Sequence, residues 1–271
     1  MENSPAALTQ NRQLEMFYTN TTFLGIDPTA GQRPFAYAAL DHEKHLLALG
    51  QGDLDEVLAF AAGQRQAVVA ISAPRSPNLG RMELDEIRQS LSPLPRPGRW
   101  MDFRVVEYQL RQHNISIPQT RGNEEDCPNW MQMGFKLFRR LESMGYQTYP
   151  AHAAALQSLE VYPHACYTAL LGVPPFPKNT LEGRIQRQLV LYELRINVPD
   201  AMRIFEEITR HRLLNGILPA ENLYTPEELD ALVAAYTSWL AATSPDQICM
   251  LGDADEGQII LPVAELKDRY S

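Results

Sequence analysis

Cysteine is scarce in this chain: Cys127, Cys166 and Cys249 are its 3 in 271 residues, widely spaced and without a CxxC pair. Neither a disulfide framework nor a structural zinc site is therefore expected. No apolar run approaches the roughly 20 residues that a membrane span requires, and the first residues lack the basic start and apolar core of a secretory leader. Both absences point to a cytoplasmic protein with no membrane partner. An excess of positive charge is missing too, since 24 Lys and Arg against 33 Asp and Glu leave a net charge of −9. Nonspecific nucleic-acid affinity comes largely from cations that displace counterions, so a nucleic-acid partner has to use a local basic patch. Arg184 with Arg187, and Lys136 with Arg139 and Arg140, are the places for one. No internal repeat is present.

What remains is globular material, 45% hydrophobic and 21% charged, enough for one large domain. Residues 1–20 are polar and weakly periodic and read as an N-terminal extension to a single domain at 21–271. Strands are expected at Phe23–Asp27, Phe35–Asp41 and His45–Gly50, with short links that favour antiparallel pairing. Asp53 reads as the N-cap and Gly63 as the stop of a helix that crosses over to an apolar, parallel strand at Ala67–Pro74. A helical insertion follows at about residues 76–146, with helices near Met82–Leu91, Asp102–Arg111 and Asn129–Tyr146. Strand character returns at Ser158–Ala165. Helices at Thr180–Arg195, Asp200–Leu214 and Thr225–Ala242 precede a hairpin around the acidic glycine turn of Met250–Pro262. The class is α/β, in βββαβαβα order, with a mixed sheet flanked by helices.

The candidate chemistry starts at Phe23–Gly31, where an apolar strand runs into a carboxylate, Asp27, and then a Pro/Gly turn. A buried acid needs a partner. Glu160 lies in the apolar context Leu159, Val161, Tyr162, and alternation points it away from Leu159 and Val161. Asp230 shares a small-residue helix face with Ala234, Thr237 and Ala241, beside the bulkier stripe of Leu229, Leu232, Val233, Tyr236 and Leu240, so that its helix can approach a sheet closely. Three converging carboxylates would suit hard Mg²⁺ or Mn²⁺. Each acid also has a plainer reading: a turn cap for Asp27, an exposed strand residue or ion pair for Glu160, and a helix-start acid for Asp230.

Segments Gly25–Asp27, Ala70–Pro74, Arg104–Arg111 with Glu107 between, Glu160–His164, Pro174–Gln188, Glu228–Ala235 and GDADEGQIILP at 252–262 occur in an order that resembles the ribonuclease H-like fold. More closely, the chain resembles a widespread prokaryotic family of predicted nucleases with that fold, from about residue 22 to the end. The resemblance implies a metal-dependent nuclease, a hydrolase with Mg or Mn as cofactor, with Asp27, Glu160 and Asp230 as catalytic metal ligands. It also implies substrate contacts from Lys178, Arg184, Arg187 and His164. Arg184 and Arg187 are three apart and could hold phosphate together or form a solvated basic face. His164, without HxxxH spacing, reads either as a proton-transfer residue or as a structural one. One position departs from the family pattern: Ser72 stands where an aspartate is usual. The alternative reading is thus a protein that keeps the fold, has lost activity, and binds a small anion or a protein partner. A sugar or acetate kinase of the actin-like superfamily would need glycine-rich phosphate loops and a second copy of the fold, which the chain lacks. DNA versus RNA, and whether the chain forms a homo-oligomer, stay open.

Overall fold

The computed structural model describes residues 20–29, 33–96, 98, 100–151 and 154–271; apart from Asn20, the N-terminal extension lies outside them. Three strands open the chain: β1 (Thr22–Asp27), β2 (Phe35–Leu40) and β3 (Leu46–Gly52). Helix α1 (Leu54–Ala62) leads to β4 (Ala67–Ile71), followed by α2 (Asp85–Ser90), α3 (Val105–Gln112) and α4 (Asn129–Ser143). Next come β5 (Gln147–Thr148), β6 (Leu156–Glu160), α5 (Pro163–Leu171), α6 (Leu181–Glu193), α7 (Arg203–Glu207), α8 (Arg210–Leu214) and α9 (Pro226–Thr243). The hairpin of β7 (Cys249–Asp253) and β8 (Gly257–Leu261) closes the chain. All strands belong to one mixed, eight-stranded sheet in the order β3-β2-β1-β4-β6-β8-β7, with β5 on β6.

The opening follows from local chemistry. Strands β1, β2 and β3 pair antiparallel through short turns, and α1 carries the chain over to β4, which lies parallel to β1. Asp53 starts α1 with a full capping box, accepting from Glu56 N–H at 2.9 Å while the Glu56 carboxylate accepts from Asp53 N–H at 2.9 Å. Two readings of the sequence change. The segment after Glu160 is a helix, α5, with Pro163 in its first turn, a position where proline's missing N–H costs nothing. The long helix expected at Asp200–Leu214 is two short ones, because Ile208 is extended and Thr209 caps a new start by accepting from Arg212 N–H.

Alternation along the parallel strands decides what each sheet face receives. Ile26 pairs with Ile71 and Ile71 with Glu160, so those three side chains share a face; Asp27, Ser72 and Val161, each one residue further, share the other. The core divides accordingly. Phe23, Val68, Ala70, Leu159 and Val161 pack with α5 and α9. Leu24, Ile26, Val69 and Ile71 pack with α1 and α4. Helix α9 comes unusually near: a Cβ built on Gly25 would sit 2.0 Å from the Ala231 carbonyl oxygen and 2.3 Å from Ala235 N. Only glycine in β1 opposite alanines in α9 permits this approach, and it brings the start of α9 down beside the end of β1. Since backbone atoms cannot yield as a side-chain tip can, Gly25→Ala is expected to lower stability by about 3 kcal/mol in urea unfolding. Ala36→Ser, in the neighbouring strand, is a control expected to cost less.

Candidate functional site

Asp27 ends β1 as a half-buried side chain, and the turn behind it is specialised. Among the described residues, its carboxylate accepts one hydrogen bond, from Thr29 N–H at 3.1 Å. Thr29 itself lies in the left-handed region at φ 46°, and its hydroxyl donates to the Arg33 carbonyl at 2.9 Å. Such a backbone conformation is costly for a β-branched residue and is tolerated where surrounding structure holds it. Burial, and then the charge of Asp230, push the Asp27 pKa up to about 7.

Asp230 reaches the same place from the second turn of α9. It is not the cap: Thr225 accepts from Glu228 N–H and Glu228 answers Thr225 N–H in a capping box, which frees Asp230 to point into the protein. Its Oδ2 accepts from Lys178 Nζ at 2.8 Å. Burial raises the Asp230 pKa, and Lys178 opposes the rise without cancelling it. For Lys178, burial would lower the pKa, but the Asp230 charge and hydrogen bond prevail and raise it.

Both acids line one cleft of about 810 Å³, with Ser72, Trp130, Tyr162, His164, Phe176, Lys178 and Arg187 among its walls. Ser72 is buried, and its hydroxyl has no partner among the described residues. The buried Arg187 donates from Nη1 to the carbonyls of Phe176 (2.8 Å) and Gly183 (3.0 Å) and lies over the Tyr167 ring. His164 is pulled below its ordinary pKa by burial and then by Arg187 and Lys178, which favours its neutral form.

Glu160 and Arg184 are placed elsewhere. Glu160 leaves β6 on the face opposite Asp27, does not line the cleft, and binds Arg104 through both oxygens, at 2.8 Å and 2.9 Å. Its Oε2 also accepts from Arg75 N–H at 3.0 Å. Arg104 is fully buried; burial would lower its pKa, but Glu160 and then the nearby acids Glu107 and Glu256 raise it. Glu107 is pushed up to about 7 by burial, against the pull of Arg104, and Glu256 accepts from Val105 N–H at 2.8 Å and Leu79 N–H at 3.1 Å. This buried cluster ties the loops after β4 and before β8 to the start of α3. Arg184 donates to the carbonyls of Tyr224 (2.8 Å) and Leu223 (2.6 Å), anchoring the segment that leads into α9. It positions Asp230's helix and does not face the cleft.

The cleft offers the Asp27 and Asp230 carboxylates and the Ser72 hydroxyl, with a third carboxylate, Glu227, paired to Arg33; these are hard oxygen ligands of the kind that Mg²⁺ and Mn²⁺ take while keeping several waters. Asp230 already neighbours a cation, the Lys178 ammonium. The three-carboxylate arrangement read from the sequence does not assemble, since Arg104 engages Glu160 on the far face. Among the described residues, the group of three ligating side chains within 4.8 Å of one another is Asp41, Glu43 and His45. There Asp41 accepts from the N–H groups of Glu43 and His45 and closes the β2–β3 turn. Trp130, Tyr162, Phe176, Arg33 and Glu227, which line the cleft, were not among the residues read as functional. The proline-rich run around Phe176 and the first-turn acid Glu227 carry the available signal, and it does not separate a cleft wall from a loop or a cap.

The two acids should respond oppositely to neutralisation. Glu160→Gln, which leaves Arg104 buried without its full partner, is expected to cost about 3 kcal/mol of stability in urea unfolding. Asp27→Asn should be neutral or stabilising. A raised carboxylate pKa means the folded state holds a proton that the unfolded state has lost, so Asp27's contribution falls as pH rises from the ordinary carboxylate range to about 7 and is level above it. The advantage of Asp27→Asn over wild type should therefore grow across that window and then stop growing; an advantage that shrinks with pH would contradict the assignment.

No functionally curated protein matches the chain. Residues 25–256 match a family model described as a protein of unknown function, DUF429, a span that runs from the glycine beneath α9 to the buried Glu256, and the chain belongs to that family.

Proposed function

We propose that this cleft is the hydrolytic centre of a metal-dependent phosphodiesterase with a ribonuclease H-like fold, a nuclease in the broad sense, using one Mg²⁺ or Mn²⁺ held by Asp27 and Asp230. The observation that carries the reading is Asp27 itself: a half-buried acid in the same cleft as a second acid, with one backbone N–H as its hydrogen-bond partner among the described residues. A carboxylate so under-satisfied is costly to keep. A cation relieves the cost for both acids at once. Antiparallel β1, β2 and β3 beside parallel β1, β4 and β6 support the ribonuclease H-like reading.

A bound ion would neutralise phosphoryl charge and lower the pKa of a coordinated water. The protein's own groups do the rest. Arg187 and Lys178 hold phosphoryl oxygens, a use for which a planar guanidinium is well shaped. Neutral His164 is able to take or give a proton at the attacking or leaving oxygen. Ser72 offers a hydroxyl to the phosphoryl group or to a coordinated water.

One ion is proposed rather than two because the further acids are committed or absent: Glu160 is on the opposite face, Glu227 is paired with Arg33, and Ser72 is uncharged. Ser72 and the Lys178–Asp230 pair also favour the second reading, an anion-binding protein that does not cleave. Calorimetric titration separates the two. The hydrolase reading expects about one Mg²⁺ or Mn²⁺ per chain, with affinity lowered about tenfold or more by Asp27→Asn or Asp230→Asn and unchanged by Glu160→Gln. Cleavage of a nucleotide phosphodiester should disappear with Asp27→Asn. Absence of binding heat, with phosphodiester turnover indifferent to Asp27→Asn, would leave the binding reading standing. Ser72→Asp places a third carboxylate on Asp27's face of the sheet and is expected to raise Mn²⁺ affinity by about tenfold.

A further inference from the structure

Two of the three Lys and Arg side chains that line the cleft are paired. Arg33 Nη1 lies 3.1 Å from Glu227, and Lys178 Nζ lies 2.8 Å from Asp230. Arg187 is then the cleft-lining cation that makes no ion pair among the described residues. It is 3% exposed, donates to two neutral carbonyls, and has a buried Nε without a partner. A guanidinium kept from water without a carboxylate is expensive, and an arriving anion offsets that cost. In the same cleft the Ser72 hydroxyl, also buried, lacks a partner among the described residues. Two under-satisfied polar groups, one of them cationic, thus line the same cavity. Together they suit one anionic group.

Within the cleft lining the described residues offer Arg187 no second unpaired Lys or Arg. Arg75 is taken up by Glu142, Arg81 by Asp253, Arg104 by Glu160 and Arg139 by Glu124. The chain as a whole carries −9. A polymer bound through successive phosphates needs a row of free cations. Trp130, Tyr162 and Phe176 supply instead flat apolar walls for about one or two bases or sugars. A space of about 810 Å³ is of the size that encloses a small ligand.

Resting on the phosphodiesterase reading above, we propose that the substrate is a small phosphodiester of about dinucleotide size, held by one phosphate at Arg187 with its bases against the aromatic walls, and not a long strand. Lengthening the strand adds phosphates beyond a cleft whose lining, among the described residues, has no further unpaired Lys or Arg, so affinity is expected to stop growing with length. Binding is measured in chelator, where nothing is cut, with wild-type protein, a dinucleotide monophosphate, and a single strand of about 20 nucleotides of the same base composition. The two should bind within about threefold of each other, with log affinity falling against log salt at a slope of about −1 for both. Arg187→Gln should weaken both about tenfold, and Ser72→Ala, which leaves the Arg187 contacts in place, should weaken both by a smaller factor.

A long strand that binds more than about tenfold tighter, with a slope near −4 or steeper, overturns the proposal, because it reveals a track of phosphate sites. Absence of dinucleotide binding overturns it as well. The wild-type length series does not depend on how Arg187→Gln folds. Dinucleotide binding without cleavage in Mg²⁺ or Mn²⁺ would remove the hydrolase reading and leave the size and charge of the ligand as proposed.

Discussion

The approach of α9 to β1 is the contact on which the rest depends. At Gly25 the helix backbone occupies the space a side chain would need, so the sheet and the helix meet over alanines and a glycine instead of over bulky residues. That closeness brings Asp230, at the start of the buried stretch of α9, to the carboxyl end of β1, where Asp27 stands. Asp27 accepts from Thr29 N–H and Asp230 from Lys178, and packing brings the two acids to one cleft. The raised pKa of Asp27 registers first its burial and then the charge of Asp230.

Strand parity settles the composition of the site. In a sheet the side-chain period is two, so a parallel register that aligns Ile26, Ile71 and Glu160 necessarily puts Asp27 and Ser72 together on the other face. Glu160 is therefore separated from Asp27 by the thickness of the sheet, although its strand is two away and its position along the strand is nearly level. The protein uses it instead to neutralise Arg104, and around that pair Glu107 and Glu256 collect backbone N–H groups from loops that would otherwise be loosely held. At the carboxyl ends of β1, β4 and β6, one face of the sheet thus carries a buried ion cluster and the other a pair of acids lining an open cleft. The first suits a structural role, because Arg104 holds both oxygens of Glu160 away from the cleft; the second suits a ligand, because the cleft gives it access.

Much of this was legible in the sequence, for reasons that can be named. Asp27 stood out because a carboxylate closing an apolar strand contradicts its neighbours. The antiparallel start, the parallel β4 and the final hairpin followed from short polar turns, a capped helix and an acidic glycine turn. The small-residue face that includes Ala234 foretold a helix that could come close. Glu160 failed for an instructive reason: alternation correctly set it opposite Leu159 and Val161, but which face held Asp27 depends on inter-strand register, and no local pattern encodes that. Pro163 was taken as the end of a strand when it was the start of α5, since proline serves both. Arg184 and Arg187 are three apart and looked equivalent, yet one anchors carbonyls at 223–224 and the other lines the cleft. Only the path of the chain before α9 distinguishes them.

The claim that organises this account is that one divalent cation sits between Asp27 and Asp230, with Glu160 outside its coordination. Anomalous diffraction from crystals soaked in Mn²⁺ tests it most directly. The account predicts one strong peak in the cleft, bonded to carboxylate oxygens of both aspartates at about 2.2 Å, with Glu160 still paired to Arg104. A peak ligated by Glu160, or Asp27 and Asp230 left without an ion at saturating Mn²⁺, would contradict it.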